Sequence, residues 1–202
     1  MNTASQHHAS NAATAADAER LRFFAEEIAV LRQSVQAEFG GLSERELNWK
    51  PHKDKWSIAQ CFEHLITADA MYFPAFDRIL QRTHSPLLWQ RLPLLPDIIG
   101  SLMVKNLERV PTRKFKTIAM FEPSQSAISM EIRKEFIRHL ERVEQHLRAF
   151  AEMESSRVVI SLPISPIIVL PVFDALTMIV NHEHRHLWQA AQVRSAVNFG
   201  IV

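Results

Sequence analysis

The apolar residues Ile128, Ile132, Phe136, Leu140, Val143, Leu147 and Phe150 follow one another at steps of three and four. An α-helix returns to the same face every ~3.6 residues, so this spacing gathers them into one stripe. A strand, with its alternating faces, would scatter them over both sides. The stripe predicts a long helix over residues 126–154. Arg133, Lys134, Glu135, Arg138, Glu141, Arg142 and Glu144 then form a solvated charged face. His139 and His146, two turns apart among these charges, read as surface residues.

Three further segments repeat the pattern. Leu21, Phe24, Ile28, Leu31, Val35 and Phe39 predict a helix from about Ala16 to Phe39, stopped by Gly40-Gly41. Ile58, Cys61, Phe62, Leu65, Ala68, Tyr72, Phe76, Ile79 and Leu80 predict a second from about Ile58 to Arg82, with Pro74 set to kink it or remove a hydrogen bond. A last helix is expected from Pro171 to about Val197, with Ala175, Met178, Ile179, His182, His186, Gln189 and Val193 facing inward. Ser43 with Glu46, and Ser57 with Gln60, have capping-box spacing. Residues 1–15 lack bulky apolar side chains and read as a disordered tail, leaving 16–202 as one domain.

Only four glycines occur, so neither a phosphate-binding glycine loop nor a fold of many tight turns can be assembled. The expected fold is all-α: a four-helix bundle with a long, partly helical crossover over residues 84–124. Within that crossover a short helix is expected over residues 97–107. The crossover either covers a site or is simply packed. Arg157 to Asp174 is apolar but broken by Pro163, Pro166 and Pro171, too interrupted to span a membrane; Val158 to Ile160 read as extended. The net charge of +1 gives no polyanion-binding surface, so nucleic acid is not an expected partner. The single cysteine, Cys61, permits neither a disulfide nor a thiolate knuckle within one chain. Together with an N-terminus that lacks a secretory pattern, it points to the cytoplasm.

Three of the ten histidines lie in His182-Glu183-His184-Arg185-His186. His182 and His186 project about 40° apart on a helix and can bind one transition-metal ion together. His184 points about 160° away from either. Buried i,i+4 imidazoles need partners: a metal, or hydrogen bonds in a structural cluster. His64, on the margin of the second helix's stripe, is the best third ligand, although on that helix alone it also reads as a hydrogen-bonded core histidine. Three imidazoles suit Zn²⁺ or Ni²⁺, and less specifically Fe²⁺ or Mn²⁺. The HExxH reading of a zinc protease fails, because no His, Asp or Glu lies between Leu187 and Val202 to act as third ligand. Glu183 reads instead as a helix-surface residue paired with Arg185 or its neighbours. Gln189, one turn beyond His186, either orients a ligand or is packing polarity. Arg109, Arg113, Lys114 and Lys116 either bind the carboxylates of a cofactor or form a solvated loop.

Leu47-Asn48-Trp49-Lys50-Pro51, Lys55-Trp56-Ser57-Ile58 and Glu63-His64-Leu65 resemble the first signature of the DinB-like superfamily. His182-Glu183-x-Arg185-His186-Leu187-x-Gln189 resembles its second. Lys114-Phe115-Lys116-Thr117 with Phe121-x-Pro123 resembles the middle segment of one subgroup. Asp69 stands where many members have Glu, and Ser165-Pro166-Ile167-Ile168 replaces a frequent His-Pro-Phe-Gly. The resemblance implies a four-helix bundle, usually a homodimer. It implies a divalent metal, zinc or nickel, on His64, His182 and His186. Its characterised members include low-molecular-weight-thiol S-transferases and a thiol-dependent isomerase. The expected function is therefore a metal-dependent enzyme acting on a small molecule with a thiol. The alternatives are a hydrolase using metal-activated water and a non-catalytic metal-binding or stress-induced dimer.

Overall fold

The computed structural model describes residues 3–83, 109, 117, 119–153 and 158–201; the side chains of residues 3–14 and of Pro166 are outside that description. Its helices are α1 (Thr3–Phe39), α2 (Glu44–Asn48), α3 (Ile58–Ala70), α4 (Phe73–Leu80), α5 (Ile132–Ala151) and α6 (Val172–Arg194). Two strands, β1 (Val159–Leu162) and β2 (Ser165–Pro171), pair antiparallel. The architecture is the expected all-α bundle. Helix α1 packs mainly on α5, α3 sits against both α5 and α6, and α1 closes the ring onto α6. Among the described residues no helix is long and apolar enough to cross a membrane. The short helix expected over 97–107, and the basic residues Arg113, Lys114 and Lys116, lie outside the described residues.

The stripes fold as their periods require. Phe24, Ile28, Val35 and Phe39 from α1 meet Phe136, Leu140, Val143 and Leu147 from α5, all buried. Phe62 of α3 stacks on Phe136 with ring centres 4.4 Å apart, and Phe39 meets Phe62 edge-on at 5.5 Å.

Several boundaries differ from the periodic reading. Helix α1 starts at Thr3 rather than near Ala16. The first sixteen residues include Ala4, Ala9, Ala12, Ala13, Ala15 and Ala16, and alanine has the highest helix propensity. The single helix expected over 58–82 is two, α3 and α4, because Pro74 lacks an N–H and sits in the first turn of a new helix. Helix α5 begins only at Ile132. The Asn48 side chain accepts from Ile128 N at 2.9 Å and donates to Ile128 O at 2.7 Å, which takes both of those backbone groups out of a helix. Val159 and Ile160, expected to be extended, lie in β1, and β2 returns beside it to make the apolar stretch a hairpin. Ile160, Leu162, Val169 and Leu170 are buried, and Val172 N donates to Val158 O at 2.9 Å, seating the start of α6.

Both capping boxes form. In the second, Gln60 N donates to Ser57 Oγ at 3.2 Å and Ser57 N to Gln60 Oε1 at 3.1 Å. The same Gln60 donates from Nε2 to Ser124 O at 2.6 Å. Glu63 accepts from Ser124 N at 2.6 Å and from its hydroxyl at 2.8 Å. The start of α3 thus holds the chain where it returns from the crossover, immediately after a 3-10 turn at Ala119–Phe121.

Candidate metal centre

His64, in the middle of α3, meets His182 and His186 of α6, so the three residues picked from the sequence come together. Their ring centres form a nearly even triangle. His64–His182 is 5.0 Å, His64–His186 is 4.6 Å and His182–His186 is 4.7 Å, with ring planes crossing at 78°, 67° and 87°. His64 Nε2 and His182 Nε2 are 3.1 Å apart. His64 and His186 are buried, whereas the His182 side chain keeps 15% exposure.

Each imidazole is turned by an acceptor outside the triangle. His64 Nδ1 donates to the Phe121 carbonyl at 2.7 Å, His182 Nδ1 to Asp69 Oδ1 at 2.8 Å, and His186 Nδ1 to Gln189 Oε1 at 3.0 Å. A carbonyl, a carboxylate and an amide oxygen can only accept, so each Nδ1 carries the hydrogen and each Nε2 presents a lone pair. Acceptors that take the outer N–H of a metal-binding histidine fix its ring and tautomer in this way. Trp56 covers the cluster: its ring stacks on His186 at 5.5 Å and tilts against His64 at 4.8 Å.

The donor set fits a divalent transition ion. Tetrahedral ligands at 2.0–2.1 Å place their nitrogens about 3.3 Å apart and their ring centres about 5 Å apart, close to the separations seen. Burial, and then the neighbouring charge of His182, holds the His64 pKa down at about 4. Burial, followed by the charges of His182 and His64, holds His186 down at about 2. Both rings are neutral at neutral pH, as metal ligation requires. For His182 burial opposes the charged form, but the charge and hydrogen bond of Asp69 outweigh it and raise the pKa. Two Nε2 lone pairs facing at 3.1 Å need a proton or a cation between them, and a cation answers all three at once.

A second polar group lies beside the first. His139 and His146, expected at the surface, are both buried. His139 Nε2 bonds Glu183 Oε1 at 2.8 Å, and His146 Nε2 bonds Asp77 Oδ1 at 2.9 Å. Phe73 packs on both rings, at 5.4 Å and 4.9 Å. The two histidines sit three residues after Phe136 and Val143, so they extend the stripe itself. Glu183, expected as a surface partner of Arg185, is fully buried. Leu176, Val180, Glu183, Leu187 and Ala190 form a second buried row on α6, and that row was the signal available in the sequence. Asp69, His139 and Glu183 bring ligand atoms within 4.8 Å of one another.

The remaining candidates lie elsewhere. His184 turns to α1, 3.6 Å from Glu27 Oε1. Arg109 is committed to the same carboxylate, at 2.6 and 2.8 Å, and to Asn181 Oδ1 at 3.0 Å, so it forms an ion pair within the fold. Cys61 is buried and burial pushes its thiol pKa far up, so it is not a reactive thiolate.

Comparison with known proteins agrees with this architecture. The chain is 28% identical over 169 residues to the uncharacterised protein YuaE of Bacillus subtilis (strain 168), an alignment covering 79% of this chain and 90% of that protein. No solved structure matches the chain at a significant level. The model of the DinB superfamily matches residues 27–190, a span that contains all three clustered histidines, and the chain belongs to that superfamily.

Proposed function

We propose that the chain is a metal-dependent enzyme of the thiol S-transferase type, in which His64, His182 and His186 hold a divalent cation, zinc or nickel. The nucleophile is a low-molecular-weight thiol and the partner a small electrophile. The observation that carries this reading is the common polarity of the three imidazoles: every Nδ1 hydrogen is given to an oxygen outside the cluster, so the Nε2 lone pairs converge. When bound, the cation supplies Lewis acidity, which favours a thiolate over a thiol, or hydroxide over water, at neutral pH.

The chain's own residues supply the rest. Asp69, Gln189 and the Phe121 carbonyl fix which nitrogen of each ring faces inward. Trp56 shields the His64 and His186 rings from water on one side. His182, the most exposed of the three, marks the side from which a small molecule approaches. Because Cys61 is buried and unreactive, the sulfur comes from a separate thiol. A single buried cysteine is in keeping with a cytoplasmic protein. A homodimer is the assembly expected by analogy with the superfamily, and light scattering checks it.

Metal analysis of freshly purified protein tests the site: His64→Ala and His186→Ala should each release the ion bound by the three histidines. Metal-loaded protein should turn over in a screen of several thiols against electrophiles, and His186→Ala should abolish that turnover. Turnover that survives the substitution is background thiol chemistry and removes the enzyme reading. Hydrolysis without added thiol would instead identify water as the nucleophile.

A further inference from the structure

The group formed by Asp69, His139 and Glu183 is built from three helices: Asp69 closes α3, His139 lies in α5 and Glu183 in α6. All three residues are buried. Among the described residues each carboxylate uses one oxygen. Asp69 Oδ1 receives the His182 hydrogen, and Glu183 Oε1 is bonded to His139. Asp69 Oδ2 and Glu183 Oε2 are sealed from solvent and have no hydrogen-bond partner among the described residues.

Leaving one buried polar atom unsatisfied costs about 1–3 kcal/mol, and more where charge is involved. Two buried carboxylates, each with one oxygen left over and gathered beside an imidazole, offer acceptor capacity that a cation can fill. One nitrogen and two oxygens within 4.8 Å of one another come near the span of a single ion's ligands, since opposed ligands at ~2.1 Å lie about 4.2 Å apart. The donor set also differs from the first site. Two carboxylates and one imidazole favour harder ions than three imidazoles do.

We propose that Asp69, His139 and Glu183 form a second cation site, for a divalent transition ion such as Mn²⁺ or Zn²⁺, next to the three-histidine cluster. Asp69 joins the two sites, because it accepts the His182 hydrogen and also belongs to the second group. This proposal does not depend on the enzymatic reading, and it stands or falls on ion stoichiometry.

The test loads the chelator-stripped, full-length chain with Zn²⁺ and, separately, with Mn²⁺, and counts ions per chain after desalting. Wild type should bind two. Glu183→Gln should bind one and retain it at the three histidines. His186→Ala should also bind one, at the buried site. The double variant should bind none. His139→Gln provides a second disruption of the buried site if Glu183→Gln does not fold. A wild-type limit of one ion that His186→Ala abolishes would overturn the proposal while leaving the three-histidine site intact. One ion that Glu183→Gln abolishes and His186→Ala leaves in place would support the buried site and overturn the three-histidine reading.

Discussion

The α1–α5 face and the α3–α6 face of the bundle are made from equally periodic helices, yet they bury different things. Between α1 and α5 the interior is hydrocarbon and aromatic, and charge is kept at the rim. There Arg32 pairs with Glu141 and Glu144, Arg22 with Glu152, and Arg148 with Glu26. Along α3 and α6 the interior holds His64, Asp69, Glu183 and His186, reached by His139 from α5. The first face is stable by burial alone, at ~25 cal/mol per Å² of apolar surface. The second is stable only if every polar group finds a partner, and a functional site is the usual reason for a fold to carry that burden. The dry face is thus the frame against which the polar face is held.

Four measurements can break or sharpen this contrast. Phe136→Ala, on the dry face, should cost ~3–5 kcal/mol, because it empties the space under Phe62. Urea midpoints with and without metal should shift alike. A loss confined to metal-free protein would show that the two faces are not independent.

Acidification acts on the polar face. His64 is held at about 4 and His186 at about 2, both below the ordinary value of 6.5. Between pH 6.5 and 4 the unfolded chain therefore takes up protons that these rings refuse in the fold, and stability falls with pH. For His64 alone the loss is on the order of 3 kcal/mol. His139 and His182 are shifted upward, so their stabilisation is fully present below pH 6.5 and is lost only as pH rises through their folded pKa values. They do not reverse the trend in this window. Metal-free His64→Leu should show a shallower slope than wild type across pH 6.5–4, and equal slopes would refute the assignment.

Gln189→Ala removes the acceptor that orients His186 and should weaken metal binding roughly tenfold, measured by calorimetry. Unchanged affinity would mean that helix packing alone sets that ring. The smallest effect belongs to the rim. Arg32→Ala should cost about 1 kcal/mol or less in a urea titration, because its pairs are partly solvated. A loss of several kcal/mol would move that pair from the rim into the supporting frame.

The dry face was almost fully legible in the sequence, since a stripe such as Ile128 to Phe150 states both the helix and the side it buries. Polar residues inside the bundle were legible only where spacing itself carried meaning. His182 and His186 declared themselves by their four-residue step, and His64 by its place on an apolar margin. His139 was misread because its neighbours along the chain, Arg138 and Glu141, are charged, whereas its neighbours on the helix face are Phe136 and Val143. Glu183 was misread in the same way beside Arg185. Each is resolved only by the other, through a contact between helices that no local pattern encodes. Trp56 was visible as part of a motif, but its stacking on two histidines depends on how α6 docks.

The return of the chain at Phe121 to Ser124 also bears on how freely this scaffold can be altered. Gln60, Glu63 and His64 of α3 hold that stretch by side-chain bonds to Ser124 and to the Phe121 carbonyl. These bonds place the Phe121 carbonyl, and with it the tautomer of His64, from the same helix that carries the ligand. Changes at Phe121 to Ser124 should therefore disturb the tautomer of His64, so any alteration of the scaffold has to keep that stretch.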